Sequence, residues 1–198
     1  MPRPVAVAIT GGIGAGKSET LAAFARHGAA TISSDDIVHR LLREDEEIQR
    51  ALVDRLGDGV LDEAGQIDRS AVAEIVFADR EALAWLEALL HPRVSQEYLN
   101  WREQLAQLDR PPIVAVTEVP LLYEAASEDR FDKIVVITAP ADVRAQRAQV
   151  PVDERSDRLI PDDEKVQRAD YAYVNEGSID ELDAFVEGVM DELVAAAT

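Results

Sequence analysis

The residues Gly11-Gly12-Ile13-Gly14-Ala15-Gly16-Lys17-Ser18 match the pattern G-x-x-x-x-G-K-[ST], which is typical of phosphate-binding loops. The residues before it, 5–9, form an apolar run typical of a buried strand. Apolar residues recur after it at helical spacing until Gly28, which provides a stop. The sequence therefore predicts a strand, a glycine-rich loop and a helix in direct succession.

The chemistry of this loop indicates a site for the phosphates of a nucleoside triphosphate. Glycines let the backbone turn its N–H groups inward, and the helix N-terminus adds partial positive charge. Lys17 can reach the β- and γ-phosphates, and the Ser18 hydroxyl can bind Mg²⁺. Glu19 is expected to offer its backbone N–H and to point its carboxylate away, because a carboxylate repels a polyphosphate. The predicted nucleotide contacts in this stretch are Gly12, Ile13, Gly14, Ala15, Gly16, Lys17, Ser18 and Glu19.

Composition limits the other possibilities. The 198 residues suit one α/β domain with an inserted subdomain, and the absence of cysteine excludes disulfides and thiolate metal sites. A net charge of −19 argues against a nucleic-acid partner, which requires a basic face. No apolar run approaches about 18 residues, so we expect a soluble, cytoplasmic protein without membrane contact. The excess of acid fits either basic residues concentrated at the site or a salt-rich habitat.

Hydrophobic patterning outside the loop predicts a parallel sheet. Apolar runs at 30–33, 113–116 and 134–137 resemble buried strands, and helical patterns separate them. This alternation is typical of a three-layer α/β fold with helices on both faces of the sheet. An amphipathic helix is expected to close the chain at 178–197.

A long helical stretch separates the second and third predicted strands and exceeds what a parallel crossover needs. We expect breaks in this stretch at the glycines within 56–59 and 63–65. A third break is expected at His91-Pro92, because a proline disfavours helix at the residue before it. This stretch is interpreted as an inserted, substrate-binding helical subdomain. The predicted boundaries are about 37–109 for the insert and 1–36 with 110–198 for the core, within one domain of 1–198.

Ligands of parallel α/β sheets bind beyond the carboxyl ends of the strands, and acidic residues follow two of these ends. The second strand runs into Asp35 and Asp36, which could accept a proton from a substrate hydroxyl or cap a helix starting at Ile37. The third strand runs into Glu118, which could help to hold Mg²⁺ or lie in a surface loop. His91 could face the same crevice or be structural.

Two further groups of residues are candidates for the site. Leu121 and Tyr123 could line a pocket for an apolar arm of the substrate or pack in the core. Arg147, Arg155 and Arg158 follow the fourth predicted strand, in a chain where basic residues are scarce. Phosphoryl transfer needs cations that close over the moving group, so at least one of these arginines should touch phosphate.

Taken in order, these motifs resemble those of the dephospho-CoA kinase family, and the similarity extends over nearly the whole chain. The resemblance implies a P-loop kinase fold and ATP with Mg²⁺. It further implies transfer of the γ-phosphoryl group to the ribose 3′-hydroxyl of dephospho-CoA, the last step of coenzyme A synthesis. The segments that carry it are Ile9-Thr10-Gly11-Gly12-Ile13-Gly14-Ala15-Gly16-Lys17-Ser18, Asp36-Ile37-Val38-His39-Arg40, Leu90-His91-Pro92, Val119-Pro120-Leu121-Leu122-Tyr123-Glu124, Ala169-Asp170-Tyr171 and Asn175-Glu176-Gly177.

The resemblance also implies roles at the acceptor. Asp36 matches the second acid of the family's D-x-D segment and would be the general base. Ser34 stands where the family has the first acid, so this chain departs from the pattern there. Arg40 and His91 would contact the phosphates or ribose of the acceptor.

On the donor side, Lys17 and Arg147 would neutralise charge on the moving phosphoryl group, and Arg147 matches a lid arginine of the family. Asn175 and Gly177 would lie against the adenine of ATP. The lid, at about 147–161, is shorter than the family pattern by about one helix.

Three other functions are compatible with a phosphate-binding loop. A related P-loop kinase would act on a nucleoside monophosphate or a sugar acid, and a non-catalytic module would bind nucleotide only. A GTP-binding switch requires an [NT]-K-x-D segment, which this chain lacks. The expected partner is thus a small molecule, and a monomer is compatible with the sequence.

Overall fold

The computed structural model describes residues 3–147 and 160–197. The chain divides into two compact units, Met1–Ser34 together with Arg102–Thr198, and Asp35–Trp101. The α-helices of the described residues are, in chain order, α1 (Lys17–Arg26), α2 (Ser34–Glu44), α3 (Glu46–Leu56), α4 (Arg69–Ala78), α5 (Arg80–Ala106), α6 (Ala141–Arg147), α7 (Asp162–Gln167) and α8 (Ile179–Ala197). None of these helices is both long and apolar enough to cross a bilayer.

The first unit is built on a parallel sheet. Its strands, among the described residues, are β1 (Val5–Thr10), β2 (Ala30–Ser33), β3 (Val114–Glu118), β4 (Lys133–Thr138) and β5 (Tyr171–Val174). They lie in the order β2-β3-β1-β4-β5, and every neighbouring pair is parallel. The predicted parallel α/β sheet is confirmed; β5 is an edge strand that the sequence analysis did not predict.

Alternate residues of the strands supply two cores, because successive side chains of a strand point to opposite faces. On one face, Val7 of β1 and Val116 of β3 are fully buried with Phe24 of α1 and Val186 of α8. On the other face, a smaller cluster joins Ala8, Ile134 and Val136 to Leu122 and Tyr123, which follow β3. The sheet is therefore covered on both sides, as a parallel sheet requires.

A buried ion pair fixes α7 to the segment that follows β3. The ammonium of Lys165, 1% exposed, lies 2.7 Å from Oε1 of Glu124. The same oxygen accepts a hydrogen bond of 3.0 Å from the backbone N–H of Ile160. Arg168, one turn further along, pairs with Glu128 and stacks over the Tyr123 ring at 4.2 Å. The described residues on the C-terminal side of 148–159 are thus held by charge as well as by packing.

The second unit consists of helices α2 to α5 with one short 3₁₀ turn at Asp58–Val60. Asp45 caps α3 and Asp68 caps α4, each accepting two backbone N–H bonds. Gly57 ends α3 at a φ of 86°, and residues 61 and 67 bridge around the turn at 63–65, so both breaks expected near these glycines are confirmed.

The prediction of a helix break at His91-Pro92 is wrong. Helix α5 runs over 27 residues and contains Pro92 in its interior. A proline removes one N–H donor and clashes with the preceding turn. Here Leu90 before it and Tyr98 after it are both buried, at 7% and 4% exposure. The burial of apolar side chains on both sides of the proline offsets its cost in a helix interior, which is about 3 kcal/mol.

Candidate active site

The glycine-rich loop leaves the carboxyl end of β1 under close constraint from β4. Gly11 has a φ of +146°, and a Cβ at this position would overlap the carbonyl oxygen of Ile137. On the other side, Thr10 is fully buried and its hydroxyl donates to the carbonyl of Pro120 at 3.4 Å. The start of the loop is therefore seated between β4 and the segment after β3.

The loop ends at the start of α1. Gly16 is the N-cap residue in the left-handed conformation, at φ 99°, and its carbonyl accepts 3.0 Å bonds from both the amide and the hydroxyl of Thr20. Lys17 is the first residue of the helix, and its ammonium lies 3.1 Å from the carbonyl of Gly12. The lysine thus reaches back across the loop, and Ser18 follows it at the exposed surface. Loop amides, a helix N-terminus and an ammonium meet here, which suits bound phosphates.

Glu19 turns away from this site, as its carboxylate makes an ion pair of 3.2 Å with Arg26 at the far end of α1. Arg26 also binds Asp183 of α8 at 2.8 Å. Asp183 receives a further contact of 2.9 Å from His27, and hydrogen bonding to Arg26 and His27 lowers the pKa of this carboxyl. The charge of Glu19 is therefore compensated by Arg26.

Asn175 forms part of the wall behind the loop. Its side-chain amide donates a buried hydrogen bond of 2.8 Å to the carbonyl of Ala15, and a Cβ on Gly16 would overlap it. The main-chain carbonyl of Asn175 accepts a hydrogen bond of 3.1 Å from the guanidinium of Arg147. Two residues predicted from separate segments, Asn175 and Arg147, therefore lie together against the loop.

Asn175→Ala tests this wall. The carbonyl of Ala15 would lose its buried donor, so we expect unfolding to become easier by about 1–3 kcal/mol and the melting temperature to fall by several degrees. The KM for ATP should rise as the loop loosens. The matched control is Asn100→Ala, because Asn100, the only other asparagine, pairs with Gln96 at the exposed surface. Equal melting temperatures and equal KM values for the two variants would contradict this assignment.

Gly177 was predicted to lie beside the adenine, and the local structure explains why this position is a glycine. Ser178 and Glu181 form a reciprocal capping box at the start of α8, with N–H···O distances of 2.8 and 3.3 Å. A Cβ on Gly177 would overlap the Glu181 carboxylate. Gly177 is exposed, so contact with a nucleotide remains a prediction.

Arg144 and Asp162 lie at the loop and were missed by the sequence analysis. A Cβ built on Gly12 would be 2.5 Å from Nη1 of Arg144 and 3.4 Å from both carboxylate oxygens of Asp162. The two side chains form an ion pair of 3.2 Å. One signal was available for the arginine, since Arg144 precedes Arg147 by three residues and shares its helix face.

Glu118, predicted to help to hold Mg²⁺, ends β3 next to the loop. It is 5% exposed and stands in register with Ile9 of β1 and Ser33 of β2. A surface-loop position is thereby excluded for Glu118. Among the described residues, no group of three or more His, Asp or Glu side chains is arranged to hold a metal ion. A cation here would therefore need substrate oxygens in addition to Ser18 and Glu118, as Mg²⁺ commonly does.

Leu121 and Tyr123 differ in their surroundings. Leu121 is partly exposed, whereas Tyr123 is 5% exposed and packs in the smaller core with Leu122. Burial raises the pKa of the Tyr123 hydroxyl. The position of Tyr123 favours core packing over contact with a substrate.

Three predicted acceptor residues lie in the second unit. Asp36 and Arg40 are exposed and one turn apart on α2, and Arg40 makes an ion pair with Glu97 of α5. His91 is exposed on α5. The alternative that Asp35 or Asp36 caps a helix starting at Ile37 is wrong, because α2 already begins at Ser34. Both acids instead lie in its first turn, where negative charge favours the helix dipole.

Arg155 and Arg158, the other arginines considered for the lid, lie outside the described residues, as does most of the predicted lid at 147–161. Arg147 is the last described residue before that gap.

A parallel sheet with a glycine-rich loop and a lysine after its central strand defines the P-loop class of nucleotide-binding proteins. The family model for dephospho-CoA kinase matches residues 5–181, and the chain belongs to the dephospho-CoA kinase family of ATP-dependent kinases. It is 36% identical to the dephospho-CoA kinase of Thermobifida fusca, over 94% of this chain and 95% of the relative.

Solved structures agree with this assignment. A Thermus thermophilus protein, TT1252, superposes with a TM-score of 0.77 at 31% identity, covering 97% of this chain and 99% of its own. The dephospho-CoA kinase of Campylobacter jejuni gives a TM-score of 0.72 at 26% identity, with 98% of each chain covered. The P-loop kinase fold expected from the sequence is therefore confirmed.

Proposed function

We propose that this chain transfers the γ-phosphoryl group of ATP to the ribose 3′-hydroxyl of dephospho-CoA, the last step of coenzyme A biosynthesis. The observation that carries the proposal is the family match over residues 5–181, which includes both the phosphate loop and the helical stretch between β2 and β3. Within this proposal the helical insert at about 37–109 binds the acceptor and a short lid at about 147–161 covers the donor.

The donor half of the proposed site consists of the loop, Lys17 and Arg147. Backbone amides of Gly12 to Ser18 would bind the β- and γ-phosphates, helped by the N-terminus of α1. Lys17 and Arg147 would compensate the negative charge that develops as the phosphoryl group moves. Because there is little covalent chemistry for the protein to perform, positioning and charge account for most of the catalysis. Asn175, bonded to Ala15 and Arg147, supports this arrangement.

The acceptor half of the proposed site consists of Asp36, Arg40, His91 and Leu121. Asp36 would take the proton from the 3′-hydroxyl as that oxygen bonds to the γ-phosphorus. The bond from this phosphorus to the bridging β–γ oxygen breaks, and ADP leaves. Arg40 and His91 would bind the acceptor's phosphates or ribose, so Arg40 must leave Glu97 or share its charge with it.

Mg²⁺ is part of the proposal. Ser18 and Glu118 would hold the ion, Glu118 directly or through water, and the bound ion would reduce the negative charge of the phosphates. The position of Glu118, buried at the end of β3 next to the loop, supports this part of the proposal. We further propose that the enzyme works in the cytoplasm.

A coupled ADP assay with and without dephospho-CoA tests the function. We expect ADP release to depend on dephospho-CoA, with a kcat in the common range of about 1–10³ s⁻¹. AMP, gluconate and shikimate should each give rates near the acceptor-free background. Phosphorylation of one of these in preference to dephospho-CoA would replace the proposed acceptor. ATP binding without acceptor-dependent ADP release would instead identify a non-catalytic module.

A further inference from the structure

The pair formed by Arg144 and Asp162 lies directly over the phosphate loop and has no role in the function proposed above. Arg144, on α6, approaches the loop with both backbone and side chain. Its carbonyl oxygen is 2.8 Å from where a Cβ on Gly14 would lie, and its Nη1 is 2.5 Å from a Cβ on Gly12. The missing Cβ of Gly14 leaves room for the backbone of Arg144, and the missing Cβ of Gly12 leaves room for its guanidinium, which a side chain at position 12 would displace.

The carboxylate of Asp162, which follows residues 148–159 in the chain, lies at the same part of the loop. It lies 3.2 Å from Nη1 of Arg144 and 3.4 Å from the Cβ position of Gly12. The two side chains are 24% and 26% exposed, so water screens the pair only in part. Among the described residues Nε of Arg144 is buried without a hydrogen-bond partner. The carboxylate therefore satisfies only part of the hydrogen-bonding capacity of this guanidinium.

A carboxylate in this position conflicts with the chemistry of the loop. The amides of Gly12 to Ser18 and the ammonium of Lys17 favour phosphate, which would stand close to Asp162 and carry the same sign of charge. A guanidinium binds carboxylate and phosphate with the same fork of N–H donors. Arg144 thus faces two alternative anions, one fixed in the chain and one brought by the nucleotide.

We propose that Asp162 competes with the phosphates of the bound nucleotide for Arg144 and thereby lowers nucleotide affinity. Arg144 is a phosphate-binding residue in this scheme, and Asp162 is the internal anion that a nucleotide must displace. The benefit of such competition is release of ADP, since product release limits the rate of many kinases and other well-evolved enzymes. This inference rests on the proposed binding of ATP and ADP at the loop.

Calorimetric titration of ADP into four variants tests the competition. Asp162→Asn should tighten ADP binding by about tenfold, because the competing charge is lost. Arg144→Gln should weaken it by a similar factor. The double variant should bind ADP only slightly more tightly than Arg144→Gln alone, since most of the effect of Asp162 passes through the arginine and only a small part is direct repulsion of phosphate. Asp163→Asn is the matched control: it lies next in α7, is exposed and makes the same change in net charge.

The results of these titrations distinguish the proposed competition from two simpler explanations, a purely structural ion pair and an effect of overall charge. If the pair is merely structural, Asp162→Asn will weaken ADP binding as Arg144→Gln does. If the protein's overall negative charge is responsible, Asp163→Asn will tighten binding equally. Either result overturns the competition while wild-type binding still supports the proposed function. Failure of the wild-type protein to bind ADP would overturn the proposed function itself. Thermal melts of each variant distinguish lost binding from lost folding.

Discussion

Asp36→Asn should lower kcat for phosphorylation of dephospho-CoA by about 10²- to 10⁴-fold, the usual contribution of a positioned general base. The amide keeps the size of the side chain but cannot take the proton from the 3′-hydroxyl. Binding of ATP should stay within about twofold of wild type, because the loop and Lys17 are unchanged. Steady-state kinetics and calorimetry with ATP measure the two quantities separately.

Asp35→Asn is the matched control for this experiment. Asp35 precedes Asp36 in the first turn of α2 and is likewise exposed, so the two substitutions make the same change in charge in the same turn. We expect a small effect at position 35. Near-wild-type turnover in Asp36→Asn, or an equal loss in both variants, would remove Asp36 from the role of base.

Lys17→Ala is expected to damage both binding and rate. Its ammonium spans the loop to the Gly12 carbonyl, where it would meet the β- and γ-phosphates. We expect kcat/KM for ATP to fall by about 10²- to 10³-fold, the range found when one donor to developing charge is removed. The Kd of ATP should rise by about tenfold.

The chain has three lysines, and Lys133 provides the control for Lys17. It pairs with Asp170 at 2.7 Å and is 42% exposed, so Lys133→Ala removes an equal charge at an accessible surface pair. Its kinetics should resemble wild type. If Lys17→Ala binds ATP as tightly as Lys133→Ala does, the proposed position of the triphosphate is incorrect.

Much of the donor site could be predicted because its signals are local. The glycines, Lys17 and Ser18 occupy fixed offsets in one loop, and apolar runs before and after it predicted β1 and α1. Strands β3 and β4 were predicted on the same grounds, since strands buried on both faces have continuous apolar sequences. Strand β2 was predicted from its short apolar run, although it lies at the edge of the sheet and is only partly buried. Edge strand β5 is different: its alternate residues are exposed, and the sequence Tyr-Ala-Tyr-Val is too short to stand out.

The parts that could not be predicted depend on contacts between distant residues. Nothing near Arg144 in the sequence indicates that Gly12 and Gly14 leave room for it, or that Asp162 meets it there. Similarly, Pro92 is a local signal against helix, and only the burial of Leu90 and Tyr98 shows why α5 continues through it. Helix α2 begins at Ser34 rather than at Ile37, so Asp35 and Asp36 lie in its first turn and not at its N-cap.

The hydrogen bond between Asn175 and Ala15 joins residues 160 positions apart in the chain. Its consequence concerns synthesis. The loop leaves the ribosome well before β4, α6, α7 and Asn175, which follow it in the chain. During elongation the loop therefore exists without its back wall, and a nascent chain cannot complete the donor site until Asn175 has left the exit tunnel. The donor site is in this sense assembled long after the loop itself has been synthesised.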